Sequence, residues 1–143
     1  MSGGCPATVA GYADVSNPDP ALRSRMLPRA APTGGLVCRY GTPRRGSAPP
    51  PVATLTAQSA ARLARAVDAI PLGSTGDGPL LSCPVGGDLQ TLLLFSYRHH
   101  PDADLWLHTH GCRTLDNGFV RAVEEGTPAF YKGFVDALAA VAP

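Results

Sequence analysis

At 143 residues and 14.8 kDa the chain has room for one domain, and its sixteen glycines and fifteen prolines make that domain rich in loops. Twelve basic residues against eleven acidic ones leave a net charge of +1, and only 16% of positions are charged, so neither a nucleic-acid surface nor a polybasic membrane patch is expected. Apolar residues at 44% exceed what a disordered polymer carries.

Residues 1–33 hold Pro6, Pro18, Pro20, Pro28 and Pro32, which remove backbone donors and bias their predecessors toward extended geometry. They read as an extended N-terminal segment lying over a domain at 34–143. Leu36-Val37-Cys38-Arg39-Tyr40 follows Gly34-Gly35 and reads as a strand. Residues 41–51 form a loop whose Arg44-Arg45 pair is solvated charge. From Thr56 the spacing turns helical, with Ala60, Leu63, Ala64, Val67 and Ile70 on one stripe and Pro71 as the stop. Gly73-Ser74-Thr75-Gly76-Asp77-Gly78 looks like a phosphate-cradling loop, but Pro79-Leu80 follows where a phosphate loop needs lysine, so it is read as a turn.

Residues 91–97 and 104–109 are strand-like and joined by a polar turn, predicting an antiparallel hairpin. A turn centred between His100 and Pro101 pairs residues whose numbers sum to about 201. One face then carries Leu92, Leu94, Leu105 and Leu107, and the other carries Leu93, Phe95, Tyr97, Trp106 and His108. Asp116-Asn117-Gly118 marks the turn of a second hairpin, between 113–115 and 119–123. Thr127 caps a final helix with Pro128 at its first position, and Phe130, Phe134, Leu138 and Val141 form its apolar stripe. The expected class is α+β: an antiparallel sheet of four to five strands, two helices against its leucine face and two disulfides.

Cys5, Cys38, Cys83 and Cys112 are separated by 33, 45 and 29 residues, too far apart for a metal finger or a redox pair. An even number at long spacing in a small chain reads as two disulfides and an oxidising compartment. Three connectivities are possible. Cys5 with Cys38 and Cys83 with Cys112 is favoured, because each bridge ties an irregular segment to a strand edge. The start, Met1-Ser2-Gly3-Gly4-Cys5, looks like a trimmed export signal; small residues before a cysteine also suit the rival reading of a lipid anchor at Cys5, which would leave one of the other three cysteines unpaired.

His108 and His110 are the weak candidates for metal ligands, being on one face of a strand. His99 and His100 lie at the hairpin tip, roughly 25 to 30 Å away, so the four histidines do not share a site. No hydrolase elbow, zinc-helix motif or nucleotide fingerprint occurs, and no catalytic residue, cofactor or nucleic-acid partner is expected. Phe95, Tyr97, Trp106 and His108 form the possible binding face if the N-terminal segment leaves them uncovered; if it covers them they are core.

Cys5-Pro6, Val37-Cys38-Arg39-Tyr40, Ser82-Cys83-Pro84, Gly111-Cys112-Arg113 and Asn117-Gly118, in that order, resemble a set of small secreted or lipoprotein-like proteins of actinobacteria. That resemblance implies export and a mature part starting near Cys5; Trp106-Leu107-His108-Thr109-His110 departs from the plainer strand found there. The segment Cys83-Pro84-Val85-Gly86 is similar to the reactive loop of subtilisin-inhibitor-like proteins, which implies an alternative role in protease inhibition. In those proteins, however, the first cysteine pair is close in sequence. The expectation carried forward is an exported, monomeric, non-catalytic domain that binds a ligand or an envelope or extracellular protein.

Overall fold

The computed structural model describes residues 4–5, 17–40, 51–72, 90–108, 114–123 and 128–142. Six strands and two helices follow in the order β1 (Gly34–Tyr40), β2 (Ala53–Leu55), α1 (Ala57–Asp68), β3 (Gln90–Ser96), β4 (Ala103–His108), β5 (Thr114–Asp116), β6 (Arg121–Val123) and α2 (Pro128–Val141), preceded by a 3-10 turn at Pro20–Arg23. The strands form one sheet in the order β2-β1-β3-β4-β5-β6, antiparallel at every pairing. The α+β class, the two helices and the Cys5–Cys38 disulfide are as expected; β2 raises the strand number among the described residues to six.

Each helix forms for a local reason. Thr56 caps α1 by accepting a hydrogen bond from the Ser59 amide at 3.1 Å, which satisfies one of the four amides left open at a helix start. Ala60, Leu63, Ala64 and Val67 form its buried stripe, and Ile70 continues into the core just past the helix end. In α2 the stripe is Tyr131, Phe134 and Leu138, whereas Phe130 is 52% exposed. Phe130 lies one residue, or about 100° of helix rotation, from Tyr131, and the Tyr131 ring takes the inner place, edge-on to Phe134 at 5.8 Å. The last turn is tied to the sheet by Arg39, whose Nη2 donates to the Ala142 carbonyl at 2.8 Å, a cation at the negative end of the helix.

The β3–β4 register differs from the expected one. Leu92 pairs with Trp106, Leu93 with Leu105 and Leu94 with Asp104, so partner numbers sum to 198. The turn is centred on His99 because Pro101 pushes His100 toward extended geometry and away from the tip. An odd shift of register recombines the faces while leaving each strand's own alternation intact. Leu93, Phe95, Leu105 and Leu107 therefore join on one side of the sheet, and Leu92, Leu94 and Trp106 on the other.

The first side carries the main core, closed by both helices and by Leu22, Met26 and Leu27 of the N-terminal segment. The second side holds a smaller cluster of Cys5, Leu36, Cys38, Leu92, Leu94 and Trp106, with Tyr40 packed at its margin. Among the described residues no helix is long and apolar enough to cross a membrane.

Candidate functional site

The second side, hereafter the disulfide face, is where aromatic, acidic and basic side chains meet. Strand register alone builds it. Cys38, Leu92, Trp106, Asp116 and Arg121 are successive partners across five strands, and Leu36, Leu94 and Asp104 form the adjoining row. Tyr40 tilts over this surface with its ring centroid 6.3 Å from that of Trp106. Trp106 is fully buried, while Tyr40 and Asp104 are half-buried.

Burial sets the chemistry of both half-buried groups. Withdrawal from water, and then the neighbouring Asp102 charge, raise the Asp104 carboxyl to about 6. Withdrawal from water, and then the charge of Asp104, push the Tyr40 phenol up to about 12. At neutral pH Tyr40 keeps its proton and can donate, while Asp104 accepts; in mild acid Asp104 becomes a donor as well. Further along the face, Arg121 Nε meets Asp116 Oδ2 at 2.7 Å, and the other Asp116 oxygen accepts the Gly118 amide. The result is a surface suited to holding a polar or aromatic group by stacking and hydrogen bonds.

The residues of the expected binding face do not stay together. Phe95 and Tyr97 lie in the main core, at 0% and 8% exposure, on the opposite side of the sheet from Trp106. All three are buried, as in the core alternative, but the register difference divides them into two separate sets, so they form no common open surface. The Tyr97 hydroxyl is buried without a hydrogen-bond partner among the described residues; burial raises its pKa well above the usual phenol value, Asp68 adds to the rise and Arg25 opposes it. The His108 backbone sits between Gln90 and Thr114 in the register.

His110, Cys112 and the Cys83-Pro84-Val85-Gly86 segment lie outside the described residues. His99 and His100 are exposed at the β3–β4 connection, with His100 Nδ1 at 3.6 Å from Asp19 Oδ2. Among the described residues no three His, Cys, Asp or Glu side chains gather in a metal-binding arrangement.

Asn17, which the sequence reading passed over, and Asn117, read there only as a turn residue, hold the site's margin. Asn17 bonds both main-chain groups of Asp104, accepting its amide at 2.8 Å and donating to its carbonyl at 2.9 Å. It thus acts as a one-residue strand where β5 has ended. Asn117 donates to the carbonyls of Leu22, Arg25 and Met26 and accepts the amides of Phe119 and Val120. Nothing in Asn17-Pro18 or Asp116-Asn117-Gly118 separates such anchors from ordinary turn residues. No family model, no curated protein and no solved structure matches this chain.

Proposed function

We propose that this chain is an exported, non-catalytic binding domain whose contact surface is the Tyr40–Asp104–Arg121 part of the disulfide face. The observation that carries the reading is the Cys5–Cys38 disulfide, whose Cys38 half is fully buried at the β1 end of that face. A disulfide forms and persists in oxidising compartments, and here it fixes the N-terminal segment against the surface it borders. The Asp116 carboxylate is committed to Arg121 and to the Gly118 amide, an arrangement that shapes a surface in preference to supplying a reacting group. The half-buried Tyr40 ring, packed against Trp106, and the Asp104 carboxyl on the same face make a combination used to hold small polar ligands and peptide segments.

Trapping thiols by acid quench and alkylation in the producing cells tests the compartment. Cys5 and Cys38 should be disulfide-linked in the steady-state pool, and finding them alkylated throughout would end the export reading. The contact surface is tested by titrating soluble envelope fragments and secreted peptides while following Trp106 emission. Binding should perturb that emission and weaken at least about tenfold in Tyr40→Ala; binding that leaves Trp106 unperturbed and survives Tyr40→Ala would place the contact elsewhere.

A further inference from the structure

The turn at Asp116-Asn117-Gly118 carries a reaction that neither the fold nor the proposed binding role uses. In an Asn-Gly step the glycine nitrogen approaches the asparagine Cγ without hindrance from a Cβ, which makes such steps chemically labile. The Gly118 N–Cγ bond forms, the amide proton passes to a solvent base, and the Cγ–Nδ2 bond breaks as the nitrogen takes up a proton and leaves as ammonia. Water then opens the cyclic imide at either carbonyl, leaving aspartate or isoaspartate at position 117. The net change is amide plus water to carboxylic acid plus ammonia.

The native turn opposes every stage. Gly118 N donates to Asp116 Oδ1 at 2.6 Å, so the nucleophile keeps its proton and faces a carboxylate that disfavours the nitrogen anion. Asn117 Nδ2 is surrounded by carbonyl acceptors, with Leu22 O and Arg25 O both at 2.9 Å, and none of these can protonate it as it leaves. Oδ1 is pinned by the Phe119 and Val120 amides at 2.8 and 2.9 Å, which holds Cγ in place. Asn117 is also fully buried, and the second stage needs water.

We propose that Asn117 is a fold-protected deamidation site: stable in the native turn, reactive once residues 17–26 lift away or the chain opens, and unable to relatch after reaction. The irreversibility follows from the same contacts. A carboxylate has no hydrogen to give the three carbonyls and would be a buried charge among acceptors, and isoaspartate also lengthens the main chain. Opening is thereby converted into permanent loss of the fold.

The test uses the full oxidised chain held at mildly alkaline pH, once native and once in urea, with peptide mapping for the gain of about one dalton at position 117. Asn17 is the internal control, since Pro18 has no amide hydrogen and cannot attack. Native deamidation at Asn117 should be at least about tenfold slower than in urea, and refolding yield after urea removal should fall in step with the deamidated fraction. Equal rates in the two conditions would overturn the protection, and deamidated chains that refold to native stability would overturn the irreversibility. Asn117→Asp should be strongly destabilised or fail to fold; if it folds with native stability the proposal falls.

Discussion

Asn117 illustrates how much one buried amide can organise. Its two hydrogens are shared among three carbonyls of residues 22–26, and its oxygen closes the β5–β6 turn. Removing it strands five main-chain groups at once, and each buried unsatisfied group costs about 1–3 kcal/mol before relaxation. Asn117→Ala should therefore lower the free energy of unfolding by about 3–5 kcal/mol, read from urea denaturation. A loss below about 1 kcal/mol would show that water replaces these bonds at no cost.

Asp104 acts at the same scale but in the opposite direction. Its folded value of about 6 lies above the ordinary 3.8, first through burial and then through Asp102. The fold thus favours the protonated form, so this group's stabilising contribution is complete below 3.8 and is lost as pH rises through about 6. Asp104→Asn stays neutral throughout, while its main-chain bonds to Asn17 remain. At neutral pH it should be more stable than the parent by about 1 kcal/mol after allowance for solvent screening, with the advantage vanishing in acid. Denaturation midpoints that differ equally at both pH values would rule out the carboxyl as the cause.

Among the elements, the two glycines of β1 and the one in α2 make opposite demands. A Cβ at Gly35 would strike the Leu94 carbonyl oxygen, which the sheet holds in place, and press on the Leu55 side chain. Gly35→Ala should cost about 3 kcal/mol or more. Around Gly133 nothing lies within 4 Å of an added Cβ and the residue is exposed in mid-helix. Gly133→Ala should raise stability by about 0.5–1 kcal/mol; a decrease measured by thermal unfolding would mean that α2 needs the freedom of that glycine.

The same elements show where reading the chain succeeds. Helix α1 is visible because its cap and stripe are local, and β1, β3 and β4 are visible because alternation is local too. Strand β2 is not, since Ala53–Leu55 is too short to show a period and exists by pairing with Gly35, Leu36 and Val37 far behind it in the chain. The register of β3 with β4 depends on where a six-residue connection turns, and this decided which aromatic residues share a face. Asp104 shares a face with Trp106 by the alternation of β4 alone, whereas Tyr40 joins them only through the register of β1, β3 and β4 and could not be read in advance for that reason.

For the whole molecule the sheet divides two unequal cores, and the disulfide serves the smaller one. The main core has two helices to close it. On the other side Cys5 is the only non-strand member of the cluster among the described residues, so the link from Cys5 to Cys38 across 33 residues holds the cover in place. Chain-entropy arguments give such a loop about 3–4 kcal/mol, a large share of the roughly 5–15 kcal/mol by which domains are stable. A Cys5→Ala/Cys38→Ala variant should keep the helix-side core, and with it the far-UV spectrum, while its denaturation midpoint falls. The sole tryptophan then becomes the reporter of the other face. With the cover released, Trp106 emission should shift to longer wavelength under conditions where the sheet is intact, and its transition in urea should precede the loss of secondary structure. Coincident transitions with unshifted Trp106 emission would mean that the strands alone keep the disulfide face dry, and that the bridge stabilises the unopened chain without holding its cover.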